Sequence, residues 1–314
     1  MLLYLLAIAG GCLGLYLGGD LLLKGATAAG RKLGWSAAII GFVLVSLGTS
    51  APELFVSAGA ALQGYGDIAA GNVVGSNIVN IAIVLGLGAL ILPLAINRAI
   101  RLHQMPLMLA ITVLGFAFLV NGSLNQMESL VLLVAAGASV WWAMRVDGVP
   151  DLDAALGEDS VAELEHMSWL HSGMYLVGGI LLLVAGAEGL IWGGVGLAAT
   201  FGVPDAVVAL TVTSIGTGLP EITATVLAVA RRETDMAVGN VVGSNLMNIG
   251  LVLGVSGVIA PINSDGVGLL PLGVMLALSC ALAGVAWYPR YVARWMGAGL
   301  LVVFSVYTLL LLLN

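Results

Sequence analysis

Long apolar runs alternate with short polar connections along the chain, and this pattern predicts an all-α membrane protein. An apolar run of about 20 residues is long enough for a helix to cross the hydrocarbon core of a bilayer. Ten such runs follow one another, at residues 2–23, 36–62, 68–94, 105–120, 126–144, 171–195, 205–230, 236–260, 267–287 and 291–313. The longest polar connection divides them five and five. We therefore predict a first five-span unit at 1–145, an acidic linker at 146–168 and a second five-span unit at 169–314.

The composition supports this interpretation and excludes several soluble classes. Of the 314 residues, 60% are hydrophobic and only 9% are charged, whereas about 25% of a soluble domain is charged. The chain is therefore not expected to be a cytosolic enzyme or a disordered protein, and it has no basic surface for nucleic acid. Cys12 and Cys280 lie in separate apolar runs, which fits neither a disulfide framework nor a thiolate metal site.

The basic residues all fall in alternate connections. The ten Lys and Arg residues lie between spans 1 and 2, 3 and 4, 7 and 8, and 9 and 10, and directly after span 5. With ten crossings these connections share one side of the membrane, and Lys and Arg in short loops mark the cytoplasmic side. We predict a multi-pass protein, of the inner membrane if bacterial, with both termini outside and the 146–168 linker in the cytoplasm.

The second half of the chain repeats motifs of the first half at a constant offset of 168 residues. Residues 67–86 read DIAAGNVVGSNIVNIAIVLG and residues 235–254 read DMAVGNVVGSNLMNIGLVLG, with 14 of 20 positions identical. The same offset relates SLGTSAPE at 46–53 to SIGTGLPE at 214–221. Because each half has an odd number of spans, the second half enters the membrane from the opposite side. This predicts an inverted-topology repeat, an architecture of secondary transporters in which paired motifs meet near the bilayer midplane.

A proline interrupts the middle of span 2 and of span 7. Pro52 and Pro220 lack a backbone N–H and clash with the carbonyl four residues earlier, so each helix is expected to kink or break. The carbonyl groups that are freed cannot face lipid and need another partner, such as a bound cation. A packing kink explains one such proline, but two at matching positions, each followed by glutamate, favour an ion site.

Glu53 and Glu221 place two carboxyl groups inside apolar spans. A charge at the bilayer centre costs at least about 2.5–3.5 kcal/mol and indicates a functional site. No Lys or Arg lies in any span core, so the pair is either protonated or neutralised by cations. A structural pair that shares one proton is the alternative.

Hydroxyl and amide side chains recur near the two glutamates at helical spacing. Hard neutral oxygens with few carboxylates are the ligands that Ca²⁺ prefers, and Na⁺ accepts a similar set. No cluster of His or Cys points to zinc, copper or iron. The candidate oxygen donors are Ser46, Thr49, Ser50, Ser76 and Asn80, with their counterparts Ser214, Thr217, Ser244 and Asn248.

Asn72 and Asn240 come one turn before the serine of the second motif. Two roles are open for them, because they could line the ion path or cap the ends of a broken span 3 and span 8.

The motifs SLGTSAPELFVS and GNVVGSNIVNIAIVLG, repeated as SIGTGLPEITAT and GNVVGSNLMNIGLVLG, resemble the two alpha-repeats of the sodium/calcium exchanger family, part of the cation/calcium antiporter superfamily. The resemblance implies ten helices in two inverted halves, with broken helices 2, 3, 7 and 8 around a midplane ion site. It implies that spans 1 and 6 are long and slide against this core. It also implies that ions bind to Thr49, Ser50, Glu53, Ser76, Asn80, Thr217, Glu221, Ser244 and Asn248, and to the backbone carbonyls of Ser46 and Ser214.

Two positions depart from the family pattern. Gly218 stands where the family often has a serine matching Ser50, so one hydroxyl ligand is missing and the ion stoichiometry is left open. Asn248 stands where some relatives have an aspartate, and an amide oxygen can fill the same role. The chain also has no large regulatory insert.

We therefore expect a secondary antiporter that exchanges Ca²⁺ for Na⁺ by alternating access, without a cofactor. Its expected partners are the two ions and the lipid bilayer, and the sequence leaves the oligomeric state open. The alternatives are a channel and an antiporter that exchanges Ca²⁺ or another cation for H⁺, with Glu53 and Glu221 as proton carriers. An enzyme is disfavoured because no nucleophile–base pair or open metal triad is visible.

Overall fold

The computed structural model describes residues 1–146, 167–201 and 216–313, which are nearly all helical. We number the helices α1 (Leu2–Lys32), α2 (Ala37–Thr49 and Ala51–Leu62), α3 (Gly66–Ile91), α4 (Ile100–Leu119), α5 (Gln126–Val146), α6 (Trp169–Thr200), α7 (Leu219–Ala230), α8 (Thr234–Ile259), α9 (Leu269–Trp287) and α10 (Arg294–Leu313). Within the described ranges, eight helices are long and apolar enough to cross a membrane, or nine if the two parts of α2 form one span. The chain is an integral, multi-pass membrane protein.

Four two-residue strands correct the prediction that the protein is purely α-helical. Strand β1 (Leu94–Ala95) pairs antiparallel with β4 (Tyr291–Val292), and β2 (Ser123–Leu124) pairs antiparallel with β3 (Ile262–Asn263). The strands lie in connections between helices, where backbone groups have left a helix and need new hydrogen-bond partners. In both pairs one strand comes from each half of the chain.

The predicted break in span 2 is present at Ser50. The two parts of α2 meet at an angle of 45°, and Pro52 is the second residue of the second part. Since Pro52 has no N–H to offer, the carbonyl of Gly48 loses its usual partner in the helix. The first part of predicted span 7 lies outside the described residues, and α7 begins at Leu219, directly before Pro220.

The prediction that helices 3 and 8 are broken is wrong. Both helices are continuous from end to end, and each contains a π-helical turn, at Asn80–Leu85 in α3 and Asn248–Leu253 in α8. Neither helix contains a proline, so backbone hydrogen bonds shift by one residue at these turns instead of being lost. Single π-helical turns inside α-helices are frequent at functional sites.

The helices α1 and α6 are longer than the predicted spans 2–23 and 171–195. Hydropathy falls at Lys24, but the helix continues to Lys32, because a helix need not end where the hydrocarbon core does. The two helices run antiparallel and pack through glycines spaced seven residues apart, at 11, 18 and 25 in α1 and at 179, 186 and 193 in α6. A methyl group added at Gly18 would lie 2.6 Å from the backbone nitrogen of Leu183. Small residues let membrane helices approach this closely.

The most enclosed helices are α3 and α8. In the most apolar 18-residue window of each, 78% of the residues are buried, against 6% in α10. The second part of α2 packs against α3 and against the π-helical turn of α8, while α7 packs against α8 and against the π-helical turn of α3. The second part of α2 and the helix α7 therefore each contact both central helices.

Candidate ion-binding site

The two glutamates occupy equivalent places at the start of a helix. Glu53 is the third residue of the second part of α2, and Glu221 is the third residue of α7. The first turn of a helix favours negative charge, because its N–H groups lack intrahelical partners. Both side chains are buried, with 0% and 1% of their surface exposed. The fold thus encloses two carboxyl groups at two helix N-termini.

The helices that carry the two glutamates both pack against α3 and α8. All four of the glutamate carboxyl oxygens are buried and have no hydrogen-bond partner within 3.5 Å among the described residues, although the Thr49 hydroxyl lies near the Glu221 carboxyl group. Buried polar groups in folded proteins nearly always have a partner. Four unpartnered carboxyl oxygens in one region therefore indicate that a ligand or a proton completes this site.

The asparagines at the π-helical turns are unpartnered in the same way. Asn80 and Asn248 are the first residues of these turns, and both are almost fully buried. Neither the oxygen nor the nitrogen of either amide has a hydrogen-bond partner within the described part of the chain, and the hydroxyl of Ser50 has none either. These three side chains are members of the oxygen set predicted from the sequence, while the side-chain oxygens of Asn77 and Asn245, outside that set, also lack a partner among the described residues.

Thr49 joins α2 to α8. Its hydroxyl donates to the side-chain oxygen of Asn240 at 3.4 Å and lies 3.4 Å from the hydroxyl of Ser244. The same single proton can instead be donated to the carbonyl of Ser46 at 3.3 Å, while the Ser46 hydroxyl donates to the carbonyl of Phe42 at 2.5 Å. Thr49 and Ser244, two predicted ion ligands from different halves of the chain, are thus in direct contact.

For the remaining predicted ion ligands, Ser76, Thr217 and Ser214, the structure gives less detail. Ser76 is buried on α3, one turn before Asn80. Thr217 is half-buried, directly before Gly218. Ser214 lies outside the described residues.

Asn72 and Asn240 each bind a hydroxyl on the neighbouring helix. The two hydroxyls belong to the last residues of the motifs SLGTSAPELFVS and SIGTGLPEITAT and were not among the predicted site residues. Asn72 donates to Ser57 at 2.9 Å, and Asn240 donates to Thr225 at 3.0 Å. Asn72 also donates to the backbone carbonyl of Glu53 at 3.4 Å. Ser57 and Thr225 lie four residues after the glutamates and 168 residues apart, which is a signal that could have identified them.

The chemistry of the donor set favours hard cations. Carboxylate, hydroxyl, amide and carbonyl oxygens suit Ca²⁺ and Na⁺, whereas transition metals prefer imidazole and thiolate. In the described ranges, no three His, Cys, Asp or Glu side chains come together. The charge of the candidate site therefore comes from two carboxyl groups, because the other candidate oxygens are neutral.

Residues 3–145 and 171–313 match the family model described as sodium/calcium exchanger protein. The chain belongs to the sodium/calcium exchanger family. The resemblance predicted from the motifs is thereby confirmed, and the chain is a cation/calcium antiporter. Among curated relatives, the inner membrane protein YrbG of Escherichia coli is 33% identical over 85% of this chain and 84% of its own length. The sodium/calcium exchanger MaX1 of Methanosarcina acetivorans is 30% identical over 94% of each chain.

Solved structures of the sodium-calcium exchanger NCX_Mj share the fold. One of them, from a crystal soaked with Na⁺ and Ca²⁺, has a TM-score of 0.82 and 25% sequence identity, and the match covers 98% of this chain and 97% of that one. Members of the family carry Na⁺ and Ca²⁺ as substrates, so both ions are candidates for the site formed by Glu53 and Glu221.

Proposed function

We propose that this antiporter exchanges Ca²⁺ for Na⁺ by alternating access, with both ions competing for one site. The proposed ligands are Ser46, Thr49, Ser50, Glu53, Ser76, Asn80, Ser214, Thr217, Glu221, Ser244 and Asn248. The observation that carries the proposal is the set of buried, unpartnered oxygens on Ser50, Glu53, Asn80, Glu221 and Asn248. A desolvated cation would supply the partner that each of these oxygens lacks.

Charge balance explains how the two ions would be coupled. Two carboxylates carry a charge of −2, which one Ca²⁺ or two Na⁺ would balance. Because one Ca²⁺ or two Na⁺ would neutralise the same two carboxylates, binding of one kind of ion would exclude the other. Mutually exclusive binding at a site that opens alternately to each side is sufficient for coupled exchange. This describes a carrier with no enzymatic step.

We further propose that the chain crosses the membrane ten times as an inverted repeat. Paired strands lie on one side of a bilayer, so an even number of crossings separates β1 from β4. The helices α4, α5, α6, α8 and α9 supply five, and we assign the sixth to the span that ends in α7. The antiparallel packing of α1 on α6, its counterpart at the 168-residue offset, supports the inversion.

This topology gives the sides of the membrane. With Lys and Arg on the cytoplasmic side, both termini lie outside and the acidic linker lies in the cytoplasm. The proposed units are 1–145 and 169–314, joined by residues 146–168.

Transport by purified protein in proteoliposomes tests the proposed exchange. We expect uptake of ⁴⁵Ca²⁺ when Na⁺ is loaded inside the vesicles and diluted outside, and little uptake when a pH gradient is imposed instead. Uptake that follows the pH gradient and ignores Na⁺ would replace this proposal with Ca²⁺/H⁺ exchange, since a buried carboxyl pair can also carry protons. A flux of more than about 10⁵ ions per second would indicate a channel, because carriers rearrange in microseconds to milliseconds.

A further inference from the structure

The pair Asn240 and Thr225 connects the second half of the chain to a predicted ligand of the first half. The side-chain nitrogen of Asn240 donates to the hydroxyl of Thr225, and its side-chain oxygen accepts from the hydroxyl of Thr49. All three side chains are buried, with at most 1% of their surface exposed. The chain of bonds therefore runs from α7 through α8 to α2 without contact with water.

A hydroxyl group binds a cation through a lone pair, so its proton must point away from the ion. Three oxygens lie near the Thr49 hydroxyl: the carbonyl of Ser46 at 3.3 Å, the hydroxyl of Ser244 at 3.4 Å and the side-chain oxygen of Asn240 at 3.4 Å. Ser46 and Ser244 are themselves proposed ion ligands, so Asn240 is the acceptor that can hold the Thr49 proton away from the ion. Asn240 can present its oxygen to Thr49 only while its nitrogen is held on the other side. The Thr225 oxygen, at 3.0 Å, holds it there.

We propose that Thr225 and Asn240 are positioning residues that orient the Thr49 hydroxyl so that its lone pair faces the transported cation. Neither side chain needs to touch the ion. The inference deepens the proposed function, because it rests on Thr49 being a ligand. It assigns a role to Thr225, the last residue of the motif SIGTGLPEITAT, which is not among the predicted ligands.

The first half of the chain supplies a matched control. Asn72 and Ser57 are also separated by 15 residues, and their hydrogen bond is 2.9 Å long. The second bond of Asn72 goes to the backbone carbonyl of Glu53, however, and not to a threonine hydroxyl of the other half. Loss of the Ser57 hydroxyl should therefore loosen the contact between α2 and α3 without turning a ligand hydroxyl.

The test replaces Thr225 by valine, which keeps the shape and removes the oxygen, and by serine, which keeps the oxygen. Calorimetric titration with Ca²⁺ should give a Kd about tenfold or more higher for T225V, the range expected when a group that orients a metal ligand is lost. T225S should remain within about twofold of the wild type. S57A should change the Kd less than T225V does. Equal Kd values for T225V and the wild type would overturn the inference.

A double-mutant cycle separates positioning from simple packing. If Thr225 acts through Thr49, then adding T225V to T49V should have little further effect, whereas independent sites give additive changes. Ca²⁺-induced shifts of Tm at saturating Ca²⁺ extend the measurement to weakly binding variants. A full additional loss in T49V/T225V, or a lower Tm without any change in Kd, would show that Thr225 only packs. If E221Q bound Ca²⁺ like the wild type, the proposed site itself would fail, which is a different result.

Discussion

The turn between α2 and α3 and the turn between α7 and α8 have the same backbone and different side chains. In the first, Gln63, Gly64 and Tyr65 bond to carbonyls of the preceding helix. In the second, the backbone N–H groups of Arg231, Arg232 and Glu233 make the equivalent bonds. Each donor and each acceptor carbonyl is the counterpart, at the 168-residue offset, of one in the first turn. Gly64 has φ +80° and Arg232 has φ +64°. Arginine is strained in this left-handed conformation and glycine is not, so the second turn keeps its charge at a conformational cost.

The charges of the second turn bind it to α1. Arg231 forms an ion pair with Asp20 on α1, and Lys24 pairs with Asp20 at 3.0 Å. We call these three residues the Asp20 cluster. Glu233 is buried beside it, and burial raises the pKa of the Glu233 carboxyl, although the charges of Arg231 and Arg31 oppose that rise.

The first turn has no equivalent of the Asp20 cluster. The side chain of Gln63 donates to the carbonyl of Gly59 in its own helix. Glu188, the counterpart of Asp20, is exposed and forms no ion pair with any residue that the structure describes. The two halves are thus alike around the candidate site and differ at the two faces of the protein. Apart from Gly218 in place of Ser50, the repeat keeps the same oxygen-bearing residue types in both halves, while the faces differ in the ion pairs that hold α1.

Removing either carboxylate tests whether the halves contribute equally to binding. We expect E53Q and E221Q each to lower ⁴⁵Ca²⁺ uptake about a hundredfold or more, because the remaining carboxylate balances only half the charge of Ca²⁺. Size-exclusion chromatography would check that both variants still fold. Normal uptake by one variant would mean that only the other half binds the ion.

Substitutions at the glycine contact between α1 and α6 test whether the two halves contribute equally to stability outside the candidate site. We expect G18L to lower the free energy of unfolding by about 3 kcal/mol, because the leucine side chain would meet the backbone of Leu183 and overpacking carries a cost of this order. G186L, at the matching position of α6, should have a similar effect. G10L is the control, since apart from its chain neighbours and the backbone of its own helix no atom of the described residues lies within 4 Å of a methyl group at this position. Thermal melting in detergent measures all three, and equal Tm values for G18L and G10L would contradict the prediction.

The Asp20 cluster tests the difference between the two faces. We expect D20N and R231Q each to lower the free energy of unfolding by about 1 kcal/mol, the upper range for ion pairs that are partly exposed. The double variant should lose little more than either single variant. Q63A removes the matching side chain on the other face and should leave Tm unchanged. Additive losses from D20N and R231Q would show that the ion pair is not the source of stability.

The apolar pattern and the repeated motifs predicted most of the helices and the exchanger family. They also singled out side chains such as Thr49 and Ser244, which the structure brings to within 3.4 Å of each other. Their coordination of ions stays a prediction. These features were accessible because they are local, since hydropathy depends on neighbouring residues and a motif on fixed spacing.

The features that the sequence analysis missed depend on contacts between distant segments. The hydrogen bond from Asn240 to Thr225 requires α7 and α8 to pack in one register, which no local pattern specifies. The π-helical turns of α3 and α8 arise where a continuous helix shifts its bonds, whereas the family resemblance implied a break there. The four strands form only because connections from opposite halves meet.

Position 218 offers the smallest and most local test of how the two halves differ. Glycine stands there in the second copy of the motif, where the first copy has the hydroxyl of Ser50. The backbone of Gly218 has φ −84° and ψ 2°, and Ser50, its counterpart, has φ −81° and ψ 2°. Serine at 218 can therefore adopt the existing conformation without strain. An added hydroxyl next to Thr217 would give Na⁺ a further neutral oxygen, and we expect G218S to lower the Na⁺ concentration for half-maximal exchange about threefold, as one weak neutral ligand would. G218A is the matched control, because it adds a carbon without an oxygen. If both variants shift the Na⁺ dependence equally, the change comes from the backbone and position 218 does not face the ion.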